Sequence, residues 1–195
     1  MALEALMGCI AALLVTAVLA VAGARSTATS LLVYGVAAVA STLALGTVAW
    51  HLATGAEPTQ SLRLPIGLPW LGAHFRLDAL AAAFLTVVNL GGATASVYGI
   101  GDRRHEREPG RVLPFFPAFL AGMNLVVLAD DAFTFLLTWE FMSLTSWALV
   151  MAHHRQPGNA QAGYIYLLMA SLGTLSLLLG FGLLAGPDGG YAFDA

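Results

Sequence analysis

Six apolar runs, each long enough to cross a bilayer as a helix, leave this chain few folds to choose from. They cover residues 5–24, 31–53, 77–100, 112–129, 132–152 and 163–185. A ~30 Å hydrocarbon layer takes roughly 20 helical residues, and lipid accepts only backbones whose polar groups are bonded internally. Charges make up 10% of the 195 residues and hydrophobic residues 58%, with a mean hydropathy of +0.80. A water-soluble domain carries roughly a quarter charged residues. The expectation is an all-α, polytopic membrane helix bundle forming one domain over residues 1–195.

The connections hold the turn formers. The longest, 54–76, contains Pro58, Pro65, Pro69, Gly55, Gly67 and Gly72. Alternation in Leu62-Arg63-Leu64 and in His74-Phe75-Arg76-Leu77 predicts two short strands, an exterior hairpin between the second and third spans.

Arginine placement predicts the orientation. The connection after the third span holds Arg103, Arg104, Arg107 and Arg111 among Asp102, Glu106 and Glu108. The positive-inside rule counts Arg and Lys rather than net charge, so this loop is expected in the cytoplasm. Arg25 and Arg155 then also fall inside. The amino terminus, the hairpin with Arg63 and Arg76, the 129–131 turn and the 186–195 tail fall outside a bacterial inner membrane. Ala22-Gly23-Ala24 resembles a signal-peptidase site, but the extreme amino terminus has Glu4 and no basic residue, and the apolar run is long for a signal core. It is read as a membrane helix.

Several chemistries find no residues to support them. No basic stripe points to nucleic acid. Cys9 stands alone, which excludes a disulfide framework and fits a small packed side chain. There is no P-loop, dinucleotide fingerprint or nucleophile elbow, so no active-site chemistry is expected in this chain. His153 and His154 are adjacent on a helix and project about 100° apart, with no Cys or carboxylate nearby to complete a metal site.

One residue breaks the apolar pattern. Glu140 is the only charged side chain deep within a run, and at ~1.5 Å per residue it lies ~12 Å into its span. A charge there costs about 2.5–3.5 kcal/mol on insertion scales, so it requires a partner, water or a proton. A proton relay is one reading, and a permanently protonated Glu bonding between helices is the other. Helical spacing places Ser143, Leu144 and Trp147 on its face, with Phe133, Leu136 and Leu137 on the preceding turns. Ser143 is the expected hydrogen-bond donor, directly or through water.

The remaining polar groups have two readings each. Asn89 and Asn124, near the middle of the third and fourth spans, can bond across helices or hold water. His153 and His154, closing the fifth span, can pass protons to water or sit as interfacial residues at a helix end. Ser171, Gly173, Thr174, Ser176, Gly180 and Gly182 form a small-residue surface on the sixth. Asp78 is expected to partner the amino-terminal dipole of the third.

Three stretches resemble the antiporter-like membrane subunits of the complex I superfamily. They are Phe75-Arg76-Leu77-Asp78-Ala79-Leu80-Ala81 with Tyr98-Gly99-Ile100-Gly101, then Phe135-Leu136-Leu137-Thr138-Trp139-Glu140-Phe141-Met142-Ser143-Leu144, and Gly163-Tyr164-Ile165-Tyr166-Leu167-Leu168 followed by Gly173-Thr174. The superfamily includes the large subunits of NADH–quinone oxidoreductase, their counterparts in membrane-bound hydrogenases and formate hydrogenlyase, and multisubunit cation/proton antiporters. In texture this chain is most similar to the hydrogenase-4 component B and formate hydrogenlyase subunit 3 branch.

The resemblance implies that Glu140 works with a lysine on a later, broken helix to control a hydrated proton path. It implies other membrane subunits as partners, and iron–sulfur, flavin or nickel–iron cofactors on those partners rather than on this chain. Family members have about fourteen helices in inverted repeats. This chain has six runs and no Lys at all, all eight of its basic residues being Arg. The expectation is therefore an amino-terminal portion or a split subunit of a redox-driven proton pump. The alternatives are a portion of a cation/proton antiporter and a non-transporting scaffold or assembly subunit. The orientation is directly testable: impermeant labels on cysteines placed at Arg104 and Arg155 are expected to react from the cytoplasmic side only, and exterior labelling at either position reverses the topology.

Overall fold

The computed structural model describes residues 1–23, 26–55, 59–66, 72–102, 109–155, 158–185, 191 and 193. The apolar runs form α1 (Ala2–Gly23), α2 (Thr27–Thr54), α3 (Ala79–Asp102), α4 (Phe115–Leu128), α5 (Ala132–Val150) and α6 (Asn159–Ala185). Short 3-10 turns at Pro109–Arg111 and Met151–His153 extend α4 and α5, and with them all six are long and apolar enough to span a membrane. Between α2 and α3, β1 (Gln60–Leu64) pairs antiparallel with β2 (Ala73–Leu77), matching Leu62 with Phe75. This is the expected all-α polytopic bundle with its one hairpin.

Local chemistry sets the helix ends, and it moves several of the expected boundaries; the second helix, for one, starts at Thr27 rather than at 31, behind a Ser26 cap. The third helix starts at Ala79 rather than at 77, because Leu77 ends β2 and Asp78 caps the helix by accepting from the Ala81 N–H at 2.7 Å. The fourth starts at Phe115 rather than at 112, behind Pro114, whose ring nitrogen has no hydrogen to donate. The sixth starts at Asn159 rather than at 163. Gly158 turns the chain there with a φ of 88°, and the Asn159 amide donates to the His153 carbonyl at 3.0 Å. That polar first turn lies outside the apolar run, so hydropathy alone passes over it.

The core gathers around α1 to α4. Leu3, Leu6, Ile10 and Leu13 make one buried stripe of α1 and meet Ala37, Ala40, Ala44 and Val48 of α2. Leu85 of α3, Leu120 of α4 and Phe75 of β2 close the same cluster. Small residues let the helices approach closely, as expected where lipid gives apolar side chains no drive to associate. A Cβ at Gly99 of α3 would stand 2.5 Å from the Tyr34 ring of α2. Beyond this core, α5 leans on α4 and α6 leans on α5.

One end of the bundle collects the amino terminus, the hairpin and the α4–α5 turn. The Leu3 N–H donates to Gln60 Oε1 at 3.0 Å, and the Asp130 N–H donates to the His74 carbonyl at 3.0 Å. Tyr191 joins them, its carbonyl accepting from the Ala132 N–H at 3.0 Å. Arg111 and Arg155 lie beyond the other ends of α4 and α5. The grouping of segments by face therefore matches the sequence expectation. Arg25, Arg103, Arg104 and Arg107 lie outside the described residues.

Asp131 holds this end together. Its carboxylate is 1% exposed and caps α5 by accepting from the Thr134 N–H at 2.8 Å and the Thr134 hydroxyl at 2.5 Å. It also accepts from the His74 N–H at 3.2 Å and lies 3.3 Å from His74 Nδ1, which fastens β2 to α5. Next to it, Arg76 Nε lies 3.0 Å from Asp130 Oδ1 and 3.7 Å from Asp78 Oδ2. The closer approach is a charge contact whose N–H is not aimed at the oxygen. Asp131→Ala removes a helix cap and orphans buried donors, so a loss of about 3 kcal/mol is expected. Denaturation of the purified protein in detergent measures it, with Asp131→Asn losing less.

Candidate functional site

The side chain hydrogen-bonded to Glu140 is not on its own helix. The Thr174 hydroxyl of α6 donates to Glu140 Oε1, and its oxygen also lies 3.2 Å from the Ala170 carbonyl one turn back. Glu140 is half-buried on the seam between α5 and α6. Nine residues separate it from the Asp131 cap, about 13 Å at ~1.5 Å per residue. No cation among the described residues pairs with the carboxylate.

A threonine hydroxyl has one proton and two lone pairs, which allows two bonding patterns with little movement. With the carboxylate ionised, the hydroxyl donates to it. With the carboxyl protonated, the acid can donate to the Thr174 oxygen while the hydroxyl turns to the Ala170 carbonyl. The site can therefore hold either protonation state with its heavy atoms nearly in place.

The expected donor, Ser143, is buried at 4% exposure, but the hydrogen bond at the carboxylate comes from Thr174. Helical spacing finds only neighbours on the same helix, and here the partner comes from the next one. A signal for it exists in the numbering. Glu140 and Thr174 are equally distant from position 157, in the α5–α6 connection, and so are Met151 and Gly163, which also meet across the turn. Antiparallel neighbours joined by a short turn pair by such reflection. Two other α5 hydroxyls turn to their own backbone, Thr138 to the Thr134 carbonyl at 2.8 Å and Thr145 to that of Phe141 at 3.0 Å.

Asn124 faces α3. Its carbonyl oxygen accepts from Asn89 Nδ2 at 2.8 Å, and its own Nδ2 donates to the Leu120 carbonyl at 2.8 Å. Asn89 is 1% exposed and Asn124 3%, so the pair is a buried amide bridge between α3 and α4. Of the two readings of these asparagines, the structure shows bonding across helices. His154 accepts at Nδ1 from the Arg111 guanidinium at 2.9 Å, tying the end of α5 to the turn before α4. Since arginine only donates, that nitrogen carries no proton in this arrangement. The carbonyl of His153 receives Asn159. The structure thus brings Thr174 to Glu140, while Asn124, His153 and His154 bond elsewhere.

Residues 129–195 match the family described as NADH:quinone oxidoreductase/Mrp antiporter, TM. NADH-quinone oxidoreductase subunit N of Desulfovibrio desulfuricans is 32% identical over 145 residues, covering 72% of this chain and 29% of that protein. Hydrogenase-4 component B of Escherichia coli is 32% identical over 117 residues, 59% of this chain and 17% of that one. The chain is similar to the antiporter-like membrane subunits of the complex I superfamily. The fold agrees: a chain in the Mrp complex from Dietzia sp. superposes with a TM-score of 0.74 over 100% of these residues and 20% of its own, at 22% identity. The region matching the family holds α5 and α6, and so both Glu140 and Thr174. The antiporter-like chain described here spans less than a third of the length of these two curated relatives.

The seam also depends on how α5 sits against α4. A Cβ at Gly122 would stand 3.0 Å from both Cα and Cβ of Met142, two residues beyond Glu140. Gly122→Leu is therefore expected to wedge the helices apart and lower stability by about 1–3 kcal/mol. Thermal unfolding in detergent reads the loss.

Proposed function

We propose that this chain is part of a proton-translocating module in a redox-driven membrane assembly, with Glu140 as its mid-membrane proton carrier. The observation that carries this reading is the Glu140–Thr174 pair: a half-buried carboxylate whose one described donor can serve both of its protonation states. Holding an acid at that depth costs energy that a purely structural bundle has no need to incur. The names of the relatives, an NADH-quinone oxidoreductase subunit and a hydrogenase component, support redox coupling.

In this reading a lysine that the 195 residues do not contain approaches Glu140 when the assembly works. Its approach favours the ionised carboxylate, with Thr174 donating to it. Its withdrawal favours the protonated acid, with Thr174 turned to Ala170. The two states differ by one proton and one hydroxyl rotation. None of the 18-residue apolar window of α6 is buried, so that helix has an open flank on which further membrane helices can pack. The other membrane subunits are the partners, and the electron-carrying cofactors sit on them. The assembly lies in a bacterial inner membrane, with the amino terminus and hairpin outside.

A second reading, exchange of a cation for protons, is supported by the family description, which names the Mrp antiporter as well. Both readings use Glu140, and they differ in whether sodium is required. The test is proton uptake into proteoliposomes carrying the complete assembly, driven by its electron donor. Glu140→Gln is expected to lower the rate at least tenfold. Thr174→Val removes a bond to a charged group worth about 1.5–3 kcal/mol and is expected to slow uptake severalfold or more, while Thr174→Ser restores it. Wild-type pumping by Glu140→Gln sinks the reading, and uptake that requires sodium selects the second.

A further inference from the structure

A cleft of about 510 Å³ opens sideways between α3 and α5, above the end of α4, on the face of the bundle that carries the hairpin. Its walls include Phe84, Val127, Phe135 and Trp139, and its mouth is formed by Arg76 and Asp78. The volume lies within the range of ligand sites, and the composition is theirs too: apolar walls with a few polar groups at one end. Phe84 is 57% exposed, so the cleft opens on the outer surface of the described helices and not into their core.

Two features narrow the occupant. The first is charge. At the mouth the Arg76 guanidinium and the Asp78 carboxylate stand side by side, 31% and 32% exposed, with Asp130 as a second carboxylate against the same guanidinium. One cation between two anions does not suit a purely anionic headgroup. A zwitterion fits it, with a phosphate on Arg76 and an ammonium on Asp78. The second is the wall itself, in which Phe84, Val127, Phe135 and Trp139 offer continuous apolar surface to an acyl chain.

We infer that this cleft is a specific site for an aminophospholipid, phosphatidylethanolamine in chemical class. The headgroup spans Arg76 and Asp78 at the membrane surface, and one acyl chain lies between Phe84, Val127 and Phe135. This site is separate from the Glu140–Thr174 seam and does not depend on the proton-translocation reading. The lipid would wedge α3 against α5 where they do not pack on each other, and would cover the flank of the helix that carries Glu140.

The test is competitive lipid retention. The full chain is equilibrated in nanodiscs of equal phosphatidylethanolamine and phosphatidylglycerol, released into mild detergent and weighed by native mass spectrometry. Retained phosphatidylethanolamine is expected to exceed phosphatidylglycerol about fivefold. Asp78→Asn keeps a residue able to cap α3 but removes the carboxylate, and is expected to bring that ratio close to one. Phe84→Trp narrows the cleft from an exposed position and is expected to lower retention of either lipid. As an independent measure, phosphatidylethanolamine brominated on its acyl chain is expected to quench a fluorescence component that Trp139→Phe removes. Retention at the bulk ratio, preference for phosphatidylglycerol, a ratio unmoved by Asp78→Asn, or no retained lipid at all each overturns the proposal.

Discussion

The buried carboxylate of Asp131 is the joint on which the geometry of this protein depends. It starts α5, it fastens β2 to that start, and it does both where the chain passes from the interface into the membrane. An apolar run sets a helix's depth in lipid only loosely, so sliding by a residue or two along its axis costs its side chains little. What stops the sliding is a polar anchor at one end. With Asp131 held by Thr134 and His74, the depth of everything below it on α5 is set, and Glu140 comes to rest about 13 Å down.

From that joint the polar groups divide into two kinds. Those at the ends of helices, such as Asp78, Asp131, Asn159 and His154, satisfy backbone or neighbouring charge and make the bundle rigid. Those at mid-span pair across helices: Asn89 bonds Asn124, and Glu140 bonds Thr174. The two mid-span pairs are unlike. The amides are neutral, buried and saturated by their own helices, so nothing about them changes with a proton. The carboxyl and hydroxyl lie on a seam at the edge of the bundle, and their bonding can reverse direction when a proton arrives. Among the described residues the α5–α6 seam is less buried than the α1–α4 core.

Much of this was legible in the residues. Six runs of the right length allow only spanning helices, and alternation around Arg63 and Arg76 marks the hairpin because a strand repeats every two residues. The helix ends were legible only to within a few residues. Hydropathy reports contact with lipid, whereas Asp78, Pro114 and Gly158 set the true boundaries through hydrogen bonds and backbone angles. The prominence of Glu140 was plain, and so was the family resemblance around Trp139-Glu140. Its partner was not. Ser143 satisfied the helical spacing, but spacing along one helix says nothing about the neighbour, and Thr174 had looked like one more small residue on a packing face.

The sequence by itself determined that the chain lives in a membrane, how many times it can cross, and that one acid lies at mid-depth, because each follows from counting apolar residues against the thickness of oil. Only the tertiary structure decided which groups meet there. Thr174 reaches Glu140, Asn124 turns to Asn89, and Arg76 meets Asp130 because helices that lipid cannot drive together settle where small residues and hydrogen bonds let their backbones approach. Those approaches depend on pairs of residues far apart in the chain, and no local pattern encodes them.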